Sequence, residues 1–149
     1  MGSMAERTEG TTQIDATPED VMAVLTDFDA YPKWAGIKKV EVKKKDSKGR
    51  GSEVYMEVAQ MGVEAKYTLA YKYAAKDGGM SWTTKSASGA VKDIKGEYSL
   101  EPSGDRTKVT YRTTLDLAIP LPGFMKRQAE KQIVNTALGG LKKRVESES

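Results

Sequence analysis

Most of this chain alternates apolar and polar residues, a pattern that few folds accommodate. Between Ile37 and Leu117 the alternation runs in segments that end at glycine-containing breaks. Val54, Met56 and Val58, for example, share one parity, and their neighbours of the other parity are polar or charged. Breaks separated by roughly 11 to 16 residues are typical of hairpins. The pattern therefore predicts an antiparallel meander of six strands with one buried and one solvated face.

A short strand and a helix are predicted ahead of this meander. Thr8 to Ala16 has the composition of an edge strand, and Thr17 to Asp20 combines a capping threonine, a proline and two acids. These residues favour a helix N-terminus. The apolar residues from Val21 to Phe28 recur at helical spacing. We expect Tyr31-Pro32 to stop this helix, because the residue before a proline disfavours helical backbone angles.

The end of the sequence predicts a second, much longer helix. It follows Pro120-Leu121-Pro122. At 1.5 Å per residue, Gly123 to Val145 would extend about 33 Å, enough to cross a curved sheet. Gly139-Gly140 lies inside this pattern and indicates close packing or a kink. The apolar residues expected to face the sheet occur at four-residue steps: Met125, Ala129, Ile133, Ala137, Leu141 and Val145.

Three segments carry a resemblance to a known family. They are Thr17 to Met22, Asp29 to Trp34, and Pro120-Leu121-Pro122 leading into the last helix. With the order of the elements, they make the chain similar to the START/Bet v1-like (SRPBCC) superfamily, and within it to the polyketide cyclase/dehydrase and lipid-transport family, especially its small actinobacterial members. The resemblance implies an α+β helix-grip fold: a curved antiparallel sheet of about seven strands wrapped around a long C-terminal helix, with short helices after strand 1.

The length of 149 residues fits one domain. We expect residues 8–149 to form a single START/Bet v1-like domain. Residues 1–7 are expected to be a remnant of an expression tag and a disordered terminus, because Met1-Gly2-Ser3 precedes a second methionine, Met4.

The absence of cysteine and histidine removes several kinds of chemistry. Thiolate and imidazole catalysis, disulfides and the usual zinc and iron–sulfur sites are all excluded. On the parity of the strands, the charged residues of the sheet face solvent. We therefore expect no catalytic residue, no metal and no cofactor, and regard a non-enzymatic role as the better hypothesis.

The buried face of the sheet is predicted to carry large side chains that combine apolar rings with polar tips. An ordinary core is one interpretation; a pocket lined by aromatic residues is the other, and the resemblance favours the pocket. Trp34 is interpreted either as a lid of the pocket or as a plug at the end of the core. The residues predicted to line the pocket are Trp34, Met56, Val58, Tyr67, Leu69, Tyr71, Trp82, Ile94, Tyr98, Tyr111, Leu115, Met125, Ala129, Gln132 and Ile133.

The net charge of +3 is small, and the basic runs are interleaved with acids. We therefore expect no nucleic-acid partner and at most a transient contact with a membrane, and a homodimer is one of the assemblies the sequence allows. No apolar run approaches the length of about 18 residues needed to span a bilayer, so a cytoplasmic location is expected.

Three functions remain open at this stage. The leading hypothesis is the binding, carriage or sensing of a hydrophobic small molecule, such as a lipid, a polyketide or a quinone-like compound, between the sheet and the last helix. The first alternative is a polyketide aromatase/cyclase or dehydratase, and the second is a protein-interaction module. The resemblance alone does not choose among them, because one fold hosts many functions.

Overall fold

The computed structural model describes residues 8–60 and 63–148. The prediction for residues 1–7 lies outside this part of the chain. The strands are, in chain order, β1 Thr8–Ile14, β2 Lys39–Lys45, β3 Gly51–Gln60, β4 Val63–Tyr73, β5 Gly79–Gly89, β6 Val91–Ser103 and β7 Arg106–Leu117. The helices are α1 Pro18–Leu25, α2 Tyr31–Trp34 and α3 Gly123–Glu148, with short 3-10 turns at Phe28–Ala30 and Ala75–Asp77.

The seven strands form one antiparallel sheet in the order β1-β7-β6-β5-β4-β3-β2. Strands β2 to β7 follow one another as hairpins, and β1 joins the far edge beside β7. The α+β helix-grip fold is therefore confirmed. The alternation in the sequence explains it, since the apolar parity of β3, β4 and β6 forms the buried face.

Helix α1 begins as predicted and ends earlier than predicted. The side chain of Thr17 accepts a hydrogen bond from the backbone N–H of Asp20 at 3.2 Å and so caps the helix. The helix ends at Leu25, where the Thr26 hydroxyl donates to the carbonyl of Met22. The expectation that Tyr31-Pro32 stops the helix is wrong: these residues begin α2, because proline suits the first helical turn, where its missing N–H is not needed.

The face of α3 that packs on the sheet agrees with the prediction at Ala137, Leu141 and Val145 and differs from it at Met125. Each four-residue step turns a side chain by about 40° around the helix, so a run of such steps drifts away from one face. Met125 is accordingly 44% exposed. Alternating steps of three and four residues keep a constant face, and the side chains buried along it are Glu130, Val134, Ala137, Leu138, Leu141 and Val145.

Two glycines allow α3 to approach its neighbours closely. A Cβ atom on Gly10 of β1 would lie 2.5 Å from the side chain of Val134. A Cβ atom on Gly140 would overlap the carbonyl oxygen of Trp34. The predicted close packing at Gly139-Gly140 is thus found at Gly140, where a larger residue would push α3 away from α2.

Strands β5 and β6 are paired over only part of their length. Their register covers Gly79 to Trp82 against Ser99 to Gly96. Beyond Trp82 the side chain of Thr84 replaces backbone pairing, since its hydroxyl donates to the carbonyl of Ile94 and accepts from the N–H of Ile94, both at 2.8 Å. We call this partly unpaired region, between residues 83–89 and 91–95, the β5–β6 seam.

We expect Thr84→Val to destabilise the protein by about 1–3 kcal/mol, because valine keeps the shape of threonine and leaves both polar groups of Ile94 without a partner. Urea unfolding measures this change. Thr83→Val is the matched control, since Thr83 is exposed on the neighbouring position and its change is expected to be within about 0.5 kcal/mol. Equal stabilities for the two variants would show that the hydroxyl does not hold the seam.

Candidate functional site

The inner face of the sheet carries a connected layer of aromatic rings. Trp82 of β5 lies at its centre, with ring centroids 5.7 Å from Tyr71, 5.6 Å from Tyr98 and 5.7 Å from Tyr111. Tyr98 and Tyr111 meet edge to face at 4.8 Å. Gly96 makes room for the indole, because a Cβ there would lie 2.6 Å from the Trp82 ring. Four neighbouring strands thus place four large rings side by side.

The tyrosine hydroxyls on this side of the molecule fall into two groups. The hydroxyl of Tyr31 donates to the carbonyl of Leu25, and that of Tyr73 donates to the carbonyl of Gly51 at 2.6 Å. These two fasten the ends of the core. Within residues 8–60 and 63–148, by contrast, no hydrogen bond is found for the hydroxyls of Tyr67, Tyr71 and Tyr98. These residues as a whole are 7%, 8% and 6% exposed, but their hydroxyl oxygens are not among the fully enclosed polar atoms without a partner.

Burial dominates the electrostatics of these tyrosines. It raises the pKa of Tyr67, Tyr71 and Tyr98 well above the ordinary value of 10.0, and neighbouring tyrosines add to the shift for Tyr71 and Tyr98. Burial likewise raises the pKa of Tyr111, with the Thr113 side chain acting in the opposite direction. The pKa of half-buried Tyr73 is raised to about 12, chiefly by burial. All these hydroxyls are neutral at physiological pH and can donate or accept a hydrogen bond.

The structure brings most of the predicted pocket residues into one core and leaves a few outside it. Those that are buried are Trp34, Met56, Tyr67, Leu69, Tyr71, Trp82, Ile94, Tyr98, Tyr111 and Leu115. Val58, Ala129 and Ile133 are half-buried and pack against this core. Met125 and Gln132 are exposed, because they lie off the face of α3 that packs on the sheet.

Trp34 lies deep at one end of the core. It is 9% exposed, its ring meets Tyr31 edge to face at 4.9 Å, and its backbone lies against Gly140 of α3. Its indole N–H is enclosed and has no hydrogen-bond partner in the part of the chain that the structure describes. An enclosed donor without a partner costs free energy, so the indole N–H destabilises this end of the core.

Glu130 is a buried carboxylate that the pattern of the sequence did not indicate. It is 1% exposed; one oxygen accepts a hydrogen bond from the Thr8 hydroxyl at 2.9 Å and the other from the backbone N–H of Leu115 at 3.1 Å. Leu115 lies two residues beyond Thr113, which pairs with Thr8 at the start of β1. Glu130 therefore links α3 to β7 and to the first residue of β1. The four-residue spacing between Glu130 and Val134 is the feature of the sequence that could have placed Glu130 on the buried face of α3.

Two cavities are found away from the aromatic layer. One of about 270 Å³ is lined by polar residues of β1, β7 and the end of α3, including Arg106 and Lys142. The other, of about 210 Å³, lies between α1 and the end of α3, beside Val24 and Val145. Neither is lined by a residue of the predicted pocket.

No group of three or more acidic residues within residues 8–60 and 63–148 is placed to hold a metal ion. In the same part of the chain, no helix combines the length and the apolar character needed to cross a bilayer.

The sequence is similar to one known family over nearly its whole length. Residues 5–146 match the model of the family described as polyketide cyclase / dehydrase and lipid transport. The chain belongs to this family. The resemblance inferred from the segments around Thr17, Tyr31 and Pro120 is thereby confirmed. A search of curated proteins found no match.

Several solved structures share the fold of this chain. A START superfamily protein from Mycobacterium smegmatis is 22% identical, with a TM-score of 0.87 over 96% of this chain and 99% of the other. The Zhui aromatase/cyclase from Streptomyces sp. R1128 is 16% identical, with a TM-score of 0.76 over 95% and 93%. A STAR-related lipid transfer protein from Xanthomonas axonopodis is 21% identical, with a TM-score of 0.65 over 94% and 85%. At these identities the likeness shows the fold alone.

Proposed function

We propose that this member of the polyketide cyclase/dehydrase and lipid transport family binds and carries a hydrophobic small molecule that bears at least one polar oxygen. The site is the aromatic face of the sheet, opposite α3. The observation that carries the proposal is the set of three hydroxyls without protein partners on the buried side chains of Tyr67, Tyr71 and Tyr98.

A solid core has little use for such hydroxyls. A hydroxyl on a buried side chain that makes no protein hydrogen bond contributes nothing to a solid core, and phenylalanine would fill the same space. Small-molecule sites, by contrast, combine apolar walls with a few polar groups that orient the ligand. The three tyrosines supply such groups, and Trp82 with Met56 supplies apolar wall.

Binding requires the interior to open, since the rings of the aromatic layer contact one another. Ala129 and Ile133 of α3 are only half-buried, and β5 and β6 are incompletely paired at the seam, so we infer that these parts of the wall open. We therefore expect a ligand to separate the rings along this side rather than to enter a space of fixed shape.

Carriage is favoured over catalysis because the buried charged side chain that the structure describes is already engaged in hydrogen bonds. Among the described residues, Glu130 is the one buried charged side chain, and its two oxygens already accept hydrogen bonds from Thr8 and Leu115. A general acid or base must come within hydrogen-bond distance of the substrate with an atom that is not already bonded within the protein. The neutral tyrosines with raised pKa values are suited to orienting a ligand and are weak proton donors.

Matched tyrosine-to-phenylalanine variants test the proposal with two probes. Oleate offers carboxylate oxygens as acceptors, and diphenylhexatriene is apolar throughout. We expect Tyr67→Phe, Tyr71→Phe and Tyr98→Phe to weaken oleate binding by about 2- to 10-fold each, which is the worth of one hydrogen bond, and to leave diphenylhexatriene binding unchanged. Thermal stability should stay the same or rise, because an unpartnered hydroxyl is removed.

Tyr73→Phe is the control. It removes a hydroxyl that donates to Gly51, so it should lower stability and leave the affinity for both probes unchanged. The proposal fails if the wild-type protein binds neither probe, or if the three variants bind oleate as the wild type does.

A further inference from the structure

The segment between β7 and α3 exposes an unusual amount of apolar surface. Residues 118–125 read Ala-Ile-Pro-Leu-Pro-Gly-Phe-Met and contain no polar side chain, yet every one of them is exposed. The exposed fractions of the large side chains are 40% for Ile119, 37% for Leu121, 66% for Phe124 and 44% for Met125. We call residues 118–125 the apolar segment.

This exposure is concentrated rather than scattered. Among the described residues, the exposed large apolar side chains are these four, all within seven positions of one another. Single exposed apolar residues are normal on protein surfaces, whereas a contiguous patch marks a surface that meets another apolar phase.

Basic side chains adjoin the apolar segment. Lys126 is half-exposed, and Arg127 and Lys131 are exposed, all in the first turns of α3. The first turn of this helix contains no acidic residue, and Glu130 is buried and hydrogen-bonded. A helix N-terminus carries partial positive charge, so cations there oppose the helix dipole and do not stabilise the helix itself. Their placement suits an anionic partner.

We propose that the apolar segment docks on an anionic lipid surface, with Ile119, Leu121 and Phe124 inserted among the acyl chains and the basic side chains at the headgroups. Apolar side chains flanked by lysine and arginine match the two layers of such a surface. The inference goes beyond the proposed function, because it concerns the outer surface and holds whether or not the interior takes a ligand.

Vesicle co-sedimentation tests the proposal. We expect the wild-type protein to bind vesicles of mixed phosphatidylcholine and phosphatidylglycerol at least roughly tenfold more tightly than vesicles of phosphatidylcholine alone. Added salt should weaken the binding. The double variant Leu121→Ser/Phe124→Ser should lose roughly tenfold or more in affinity, and Lys126→Gln/Lys131→Gln should lose about fivefold per charge on the mixed vesicles.

The control is Lys45→Gln/Lys72→Gln, which makes the same change in net charge at exposed positions of β2 and β4. It should bind as the wild type does if the basic residues act locally, and circular dichroism should show that every variant is folded. The proposal is overturned if the wild type does not distinguish the two kinds of vesicle, or if the two segment variants bind like the control. It is also overturned if light scattering finds a dimer that Phe124→Ser dissociates while vesicles do not bind, which would assign the segment to a second copy of the chain.

Discussion

Raising the pH above 10 is expected to unfold this protein over a narrow pH range. Five of its seven tyrosines, Tyr31, Tyr67, Tyr71, Tyr98 and Tyr111, are buried, and burial raises the pKa of each. In the unfolded chain these groups ionise near pH 10. The stability that their neutral forms contribute is therefore complete below pH 10 and is lost as the pH rises towards the folded-state values.

The expected slope is large. Each group contributes about 1.4 kcal/mol per pH unit, so five together approach about 7 kcal/mol per pH unit. Since a domain of this size is stable by about 5–15 kcal/mol, unfolding should be complete within roughly two units above pH 10. The two half-buried residues, Tyr55 and Tyr73, are the ones that can ionise first in the folded protein.

Tyrosinate absorbance and circular dichroism, followed on the same sample, measure this transition. The ionisation of the five buried tyrosines should coincide with the loss of structure, and Tyr98→Phe should make the pH dependence shallower by about one proton. In denaturant all seven tyrosines should ionise together near pH 10. Ionisation of more than two tyrosines while the native circular dichroism persists would contradict the expectation.

Removing the carboxylate of Glu130 is expected to be the most destabilising of the single changes considered. In Glu130→Met the side chain still fills the space, but the N–H of Leu115 and the hydroxyl of Thr8 lose their acceptors. We expect a loss of about 2–4 kcal/mol, which is roughly 5–15 °C in the melting temperature of a protein this long.

The conservative variant separates charge from hydrogen bonding. Glu130→Gln keeps an oxygen for Leu115 and can donate to the Thr8 hydroxyl, so its stability should lie between those of the wild type and Glu130→Met. Glu101→Gln, at an exposed position of β6, should change little. If Glu130→Met were as stable as the wild type, the cost of burying the carboxylate would equal the worth of its bonds, and our interpretation of Glu130 would be wrong.

The sheet could be predicted well because its signal is local. Alternation in a segment such as Val54 to Val58 depends only on neighbouring residues and on the two faces of a strand. The number of strands, their antiparallel order and the buried parity follow from such segments and from the breaks between them. The long helix was visible for the same reason.

The predictions fail where contacts between residues distant in sequence determine the structure. Residues spaced by four from Met125 to Val145 do not share one face of the helix, because each step rotates the side chain by about 40° around the axis. Glu130 was missed because its burial depends on Thr8 and Leu115, which are distant in sequence. Likewise Tyr31-Pro32 begins a helix because the chain turns before it, at Phe28–Ala30. The alternation of apolar and polar residues is the same whether or not β5 and β6 are paired, so the seam could not be predicted.

The β5–β6 seam divides the sheet into two blocks that need not open together. One block contains β2 to β5; the other contains β6, β7 and β1 and carries α3, which packs mainly on β1 and β7. Backbone pairing between β5 and β6 is confined to the stretch from Gly79 to Trp82. In native-state hydrogen exchange, amides beside the seam would exchange through small local fluctuations, whereas those at the centre of each block would require cooperative unfolding of that block. A single domain would then behave as two folding units joined along one strand boundary.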